Sequence, residues 1–92
     1  MTDDIRLHRG IIRQTIKDLA SNNLTDYRSA AYYVNSAMFA VDADCAGYPA
    51  ELRDSLKEMV LLSQAQRLYL SRKIIKLLDQ RWGKKNPTGV GS

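Results

Sequence analysis

A long stretch without helix breakers dominates the C-terminal half of this 92-residue chain. From Ala50 to Trp82 there is no proline and no glycine, and apolar residues recur at helical spacing. Pro49 precedes the stretch and Gly83 follows it, and these residue types commonly stand at the beginning and end of helices. The pattern predicts one helix over residues 50–82, about 50 Å long at 1.5 Å per residue.

Two shorter helices are predicted ahead of it. The first covers residues 3–20, with one face formed by Ile5, His8, Ile12, Ile16 and Leu19. The second runs from Thr25 or Asp26 to about Val41, and apolar residues cover more than half of its circumference, which predicts the most buried helix. Residues 42–48 are predicted to form the connecting loop.

The lengths of these helices do not match. Each of the first two spans about 25 Å, so a hairpin of the two covers only half of a helix over residues 50–82. A second copy, a different partner, or a bend near residues 63–66 would cover the rest. No strong breaker lies in residues 62–66, so the bend is the least favoured outcome, and a homodimer is the simplest symmetric one.

The predicted fold class is therefore all-α. We expect a short helical hairpin packed on one long C-terminal helix, a three-helix bundle that dimerises. Residues 1–83 are assigned to a single helical domain, and residues 84–92 to a flexible basic tail.

Composition and charge favour a cytoplasmic globular protein with an anionic partner. Apolar residues make up 45% of the chain and charged residues 26%, and neither a membrane-spanning stretch nor a signal-peptide pattern is present. The single cysteine, Cys45, excludes an internal disulfide and fits a reducing compartment. The net charge of +4 is uneven, because residues 67–92 contain seven basic residues and one acidic residue.

The favoured interpretation is a small non-enzymatic interaction or regulatory protein, such as an adaptor, assembly factor or inhibitor. It would bind a protein partner or a second copy of itself through the long C-terminal helix. The residues assigned to this contact are Leu62, Ala65, Tyr69, Leu70, Ile74 and Leu77.

The alternative interpretation is a basic accessory protein that binds nucleic acid. Two groups of basic residues have helical spacing suited to contacting phosphates. The first group is Arg6, Arg9, Arg13 and Lys17; the second is Arg72, Lys73, Lys76 and Arg81. A helix-turn-helix is not favoured, since the second helix would offer Arg28 as its one basic residue.

No catalytic residue, metal ligand, cofactor site or small-molecule substrate is predicted. His8 is the one histidine, and Cys45 has no evident base beside it. Residues 42–47 resemble the start of a calcium-binding loop. However, Arg53 occupies the position of the bidentate glutamate, so too few oxygen ligands remain.

Overall fold

The computed structural model describes the backbone of residues 2–82 and the side chains of residues 5–81. The predicted tail, residues 84–92, and the side chain of Trp82 lie outside that part. All regular structure in residues 2–82 is helical, which confirms the all-α class. The helices number five rather than three: α1 (Thr2–Leu19), α2 (Leu24–Val34), α3 (Ala37–Ala46), α4 (Ala50–Met59) and α5 (Gln64–Trp82).

The first helix agrees with the prediction to within one residue at each end. Its successor, α2, begins earlier than predicted because Asn23 acts as its N-cap. The Asn23 side-chain oxygen accepts hydrogen bonds from the backbone N–H groups of Thr25 at 2.9 Å and Asp26 at 3.2 Å. Such a cap satisfies donors that have no partner within the first turn.

The second predicted helix is wrong as a continuous element. It breaks at residues 35–36, where the Ser36 hydroxyl donates to the Tyr33 carbonyl at 2.6 Å and accepts from the Phe39 N–H at 3.4 Å. The predicted loop over residues 42–48 is also wrong, since α3 continues to Ala46. Gly47 then ends the helix in the left-handed conformation at φ +80°, which glycine adopts without a steric penalty.

The break at Ser36 changes which residues of this region face the core. A continuous helix would place two apolar stripes side by side: Tyr27, Ala31, Val34, Met38 and Val41, and next to them Ala30, Tyr33, Ala37 and Ala40. Phe39 belongs to neither stripe, yet it is 1% exposed and is among the largest fully buried side chains. Met38 and Val41, which the stripe of a continuous helix places inward, are exposed. The prediction that this region is buried therefore holds for one face of α2, with Ala30 and Val34, and for one face of α3.

The single long C-terminal helix is wrong as well. After α4 ends at Met59, α5 begins at Gln64 with a capping box formed by Ser63 and Gln66. The Ser63 hydroxyl accepts from the Gln66 N–H at 3.3 Å, and the Gln66 side-chain oxygen accepts from the Ser63 N–H at 3.2 Å. This reciprocal pair satisfies two backbone donors and so stabilises a new helix start inside the breaker-free stretch.

Arg67 fixes the corner between α4 and α5. Its guanidinium donates to the carbonyls of Leu19 and Leu62, each at 2.6 Å, and lies 4.0 Å from the centre of the Tyr27 ring. The Tyr27 hydroxyl donates to the Val60 carbonyl at 2.7 Å. These contacts tie the corner to the C-terminus of α1 and to α2.

Helix α1 lies at the centre of the fold and contacts α2, α3 and α5. The largest fully buried side chains come from four helices: Ile12, Ile16, Leu19, Val34, Phe39, Leu56 and Met59. Because α5 folds back, Leu78 is only 3% exposed, and Leu70 and Ile74 pack against the same core. Within residues 5–81, the chain itself covers much of the apolar surface that a second copy was expected to cover, while Leu68 and Leu77 stay 37% and 50% exposed. The homodimer remains a prediction, without the geometric argument that motivated it.

Candidate functional site

The side of α5 that faces away from the core is polar and basic. Ser71 and Leu78 are buried on the inner side of the helix, and Ile75 is half-buried. The opposite side carries six exposed residues, which we call the α5 outer face: Ala65, Tyr69, Arg72, Lys73, Lys76 and Gln80. It contains both residues predicted to bind a protein and residues predicted to bind nucleic acid.

Positive charge on the α5 outer face is uncompensated. The one acidic residue of α5, Asp79, forms an ion pair with Arg13 of α1. Within residues 5–81, no carboxylate pairs with Arg72, Lys73 or Lys76. Three like charges close together raise the local positive potential, which favours an anionic ligand.

An exposed aromatic side chain lies among these charges. Tyr69 is 62% exposed. The Lys73 ammonium lies 5.3 Å from the centre of its ring and donates to its hydroxyl at 3.4 Å. Because the two residues are four positions apart on a helix, their side chains meet on the same face. The α5 outer face therefore offers a flat ring and positive charge side by side.

A shallow groove runs beside this face. It is lined by Arg72, Ile75, Lys76, Asp79 and Gln80. Its lining combines the apolar side chain of Ile75 with the cations of Arg72 and Lys76 and with the Asp79 carboxylate, which pairs with Arg13. A flat or extended group could lie there within reach of both positive charges.

The first group of basic residues, on α1, divides into residues held by structural contacts and residues that are exposed. Arg9 donates from Nε to the Ala46 carbonyl at 2.9 Å and lies 5.6 Å from the centre of the Tyr48 ring, so it caps the C-terminus of α3. Arg13 is the partner of Asp79. Burial raises the pKa of the Tyr48 phenol, and the positive charges of the two arginines oppose that rise.

Arg6 and Lys17 are the exposed members of that first basic group. Helices α1 and α5 run antiparallel: Gln64 donates to the Ala20 carbonyl at 2.8 Å at one end, and Arg13 reaches Asp79 further along. Lys17 lies between these two anchor points on α1. Its ammonium is therefore an exposed charge on α1 at the level of the middle of α5.

The structure separates the residues predicted to bind a protein partner. Ala65 and Tyr69 are exposed, Leu77 is 50% exposed, and Leu62 is half-buried. Leu70 and Ile74 are half-buried and pack against the core of the same chain. Of the second basic group, Arg72, Lys73, Lys76 and Arg81 are all exposed.

A second polar cluster joins three helices. Asp42 of α3 is 9% exposed, accepts a hydrogen bond from the Tyr33 hydroxyl of α2, and lies 3.4 Å from Nε2 of His8 of α1. Burial is the main cause that raises the pKa of Tyr33, followed by its hydrogen bond to Asp42 and the charge of that carboxylate. No sequence pattern connects these residues, because their spacing along the chain follows no known motif. Their arrangement ties α1, α2 and α3 together.

Neither a metal-binding cluster nor a membrane-spanning helix occurs among the described residues. No group of three or more histidine, cysteine or carboxylate side chains there could hold a metal ion. Cys45 is exposed on α3 and forms no disulfide. Among the helices of residues 2–82, none combines the length and the apolar character needed to cross a membrane.

Comparison with known proteins does not assign a family to this chain. The chain matches no protein-family model, no curated protein and no solved structure. A functional assignment therefore depends on the surface chemistry described above.

Proposed function

We propose that this chain is a small non-enzymatic accessory or regulatory protein that acts by binding an anionic macromolecule through the α5 outer face. The observation that supports the proposal is the group of three exposed cations, Arg72, Lys73 and Lys76, which no acidic residue neutralises. A basic group placed only to complement the negative end of a helix would concentrate in the last turn. Here it extends back to the middle of α5.

Two classes of partner fit such a face. An acidic protein surface would suit an adaptor, assembly factor or inhibitor, and Tyr69 and Leu77 would then supply apolar contacts beside the charges. Nucleic acid would suit an accessory protein, with the cations placed against phosphates. Both classes require the same positive charges, so the first experiment tests the face before it tests the partner.

Heparin, a sulfated polyanion, is a suitable first probe. We expect the wild-type protein to bind a heparin column, and the K73E/K76E variant to elute at markedly lower salt. The matched control is R28E/K57E, which reverses two exposed charges on α2 and α4. Both variants lower the net charge from +4 to zero. Their comparison therefore separates a local surface from overall charge.

The expected result is that the control elutes close to the wild type. Equal early elution of both variants would show that retention reflects total charge, which contradicts a dedicated α5 outer face. Circular dichroism of each variant at 222 nm checks that the helices remain folded. Failure of the wild type to bind heparin at 50 mM salt would count against the whole proposal.

A further inference from the structure

We propose that the ligand of the α5 outer face is single-stranded nucleic acid, with a base stacked on Tyr69 and phosphates held by Arg72, Lys73 and Lys76. This inference rests on the proposed function, because it assigns a ligand to the same surface. It adds a chemical role for the exposed ring that the charges alone do not explain.

The arrangement of Tyr69 and Lys73 favours nucleic acid over an acidic protein. Lys73 holds its ammonium at the hydroxyl side of the ring, 5.3 Å from the ring centre, while 62% of Tyr69 stays accessible to solvent. A strand presents alternating flat bases and negative phosphates, so one nucleotide can use the ring and the ammonium together. Aromatic platforms beside cations are a common means of binding single strands without sequence preference.

The apolar content of the α5 outer face is low for a protein interface. The inner residues Leu70, Ile74 and Leu78 are directed to the core of the same chain. What remains on the outer face is one ring, one alanine, three cations and an amide, with the 50% exposed side chain of Leu77 at its edge, four residues after Lys73. Stable protein interfaces bury roughly 800 Å² on each partner around an apolar centre depleted in lysine. This face lacks such a centre.

A single strand also fits better than a duplex. A tyrosine can stack only on a base that is not already stacked within a helix, as in loops and single strands. Reading a duplex through the major groove requires several side chains that reach base edges. On the α5 outer face, Gln80 and Arg72 are suited to that role, but the ring of Tyr69 is not.

Fluorescence anisotropy with the full chain tests the assignment. The probes are a labelled mixed-sequence 20-nucleotide DNA strand, its duplex, and a labelled 20-residue polyglutamate peptide, each at 50 and 200 mM salt. The variants are Y69A, Y69F and K73M/K76M, with R28M/K57M as the matched control. Tyr69 is largely exposed, so Y69A is expected to fold, and circular dichroism verifies this.

We expect the wild type to bind the single strand more tightly than either other probe. With three phosphates neutralised, its affinity falls about 20-fold from 50 to 200 mM salt. Y69A weakens single-strand binding about tenfold, while Y69F retains it, because phenylalanine keeps the ring. K73M/K76M weakens binding and makes the salt dependence shallower, and R28M/K57M behaves like the wild type.

The remaining outcomes overturn the inference in distinguishable ways. If Y69A binds the single strand as well as the wild type does, the ring has no role in binding and the stacking inference is wrong. Tighter binding of the duplex assigns the face to double-stranded nucleic acid, and tighter binding of polyglutamate assigns it to an acidic protein. In each of these cases the proposed function stands. If all three probes fail to bind at 50 mM salt, both proposals fail together.

Discussion

The contacts of Arg67 predict that the α4–α5 corner depends on this one side chain. We choose Arg67→Met, which keeps much of the aliphatic length and removes the guanidinium. Two hydrogen bonds from a charged donor contribute about 1.5–3 kcal/mol each, and the cation–π contact with Tyr27 adds about 0.5–2 kcal/mol. The Leu62 carbonyl lies in a turn on a half-buried residue, where water can replace part of the loss, whereas Leu19 is fully buried. We therefore expect a decrease of about 3 kcal/mol in the free energy of unfolding.

Urea unfolding followed at 222 nm measures this change, because ellipticity reports the helices directly. Arg72→Met is the matched control: it removes the same group from an exposed position on the same helix, where we expect a change within about 0.5 kcal/mol. Equal denaturant slopes for the two variants show that the difference lies in stability. If Arg67→Met falls within about 1 kcal/mol of this control, the corner does not depend on Arg67 and the reasoning is wrong.

Three further predictions concern the core, the helix break and pH. Phe39→Ala should lower the free energy of unfolding by about 3–5 kcal/mol, measured by urea unfolding, because it leaves a cavity between helices. Ser63→Ala should cost about 1 kcal/mol through loss of the capping box, while Ser55→Ala, on an exposed part of α4, should cost little in the same assay. The pKa of Tyr33 is raised by burial and by Asp42, so its stabilising contribution is present below pH 10 and is lost as pH rises above it. Tyr33→Phe should reduce that loss between pH 9 and 11, and an unchanged decline would exclude this residue as its source.

The periodicity of apolar residues and the position of Pro49 predicted where several helices begin and end. The bounds of α1 and the start of α4 next to Pro49 agree with the sequence prediction to within one residue. These are strong local signals: a regular apolar stripe in the first case, and a residue that cannot continue a preceding helix in the second. They depend on few long-range contacts, so the sequence is sufficient to find them.

Both helix breaks were missed because neither contains glycine or proline. Residues 63–66 read Ser-Gln-Ala-Gln, which is the S-x-x-Q pattern of a capping box and could have indicated a helix start. Asn35 and Ser36 are also residues that prefer helix ends, although the alanine-rich sequence around them favours a continuous helix. Whether a capping pattern begins a helix or stays inside one depends on the burial gained by folding back. That gain comes from the whole chain.

The basic residues of the candidate site could be predicted as a group, but not by role. Arg9 donates a hydrogen bond to Ala46, and Arg13 donates one to Asp79; these partners lie 37 and 66 positions away in the chain. No local pattern distinguishes the two arginines from Arg6 and Lys17 on the same side of the helix. The sequence therefore predicts an excess of positive charge, while the folded structure determines which charges remain available.

The corner at residues 60–63 also determines which side chains of α5 remain exposed. In an unbroken helix, Leu70 and Ile74 would extend beyond the hairpin and need an apolar cover from another molecule. Because α5 folds back onto α1, those side chains pack against the core of their own chain, and Arg72, Lys73 and Lys76 are left facing solvent. Folding thus buries the inner apolar side chains of α5 and leaves its three cations exposed, with Leu68 and Leu77 partly exposed beside them. Recognition through such a face should be strongly weakened by salt, whereas an apolar contact would not be.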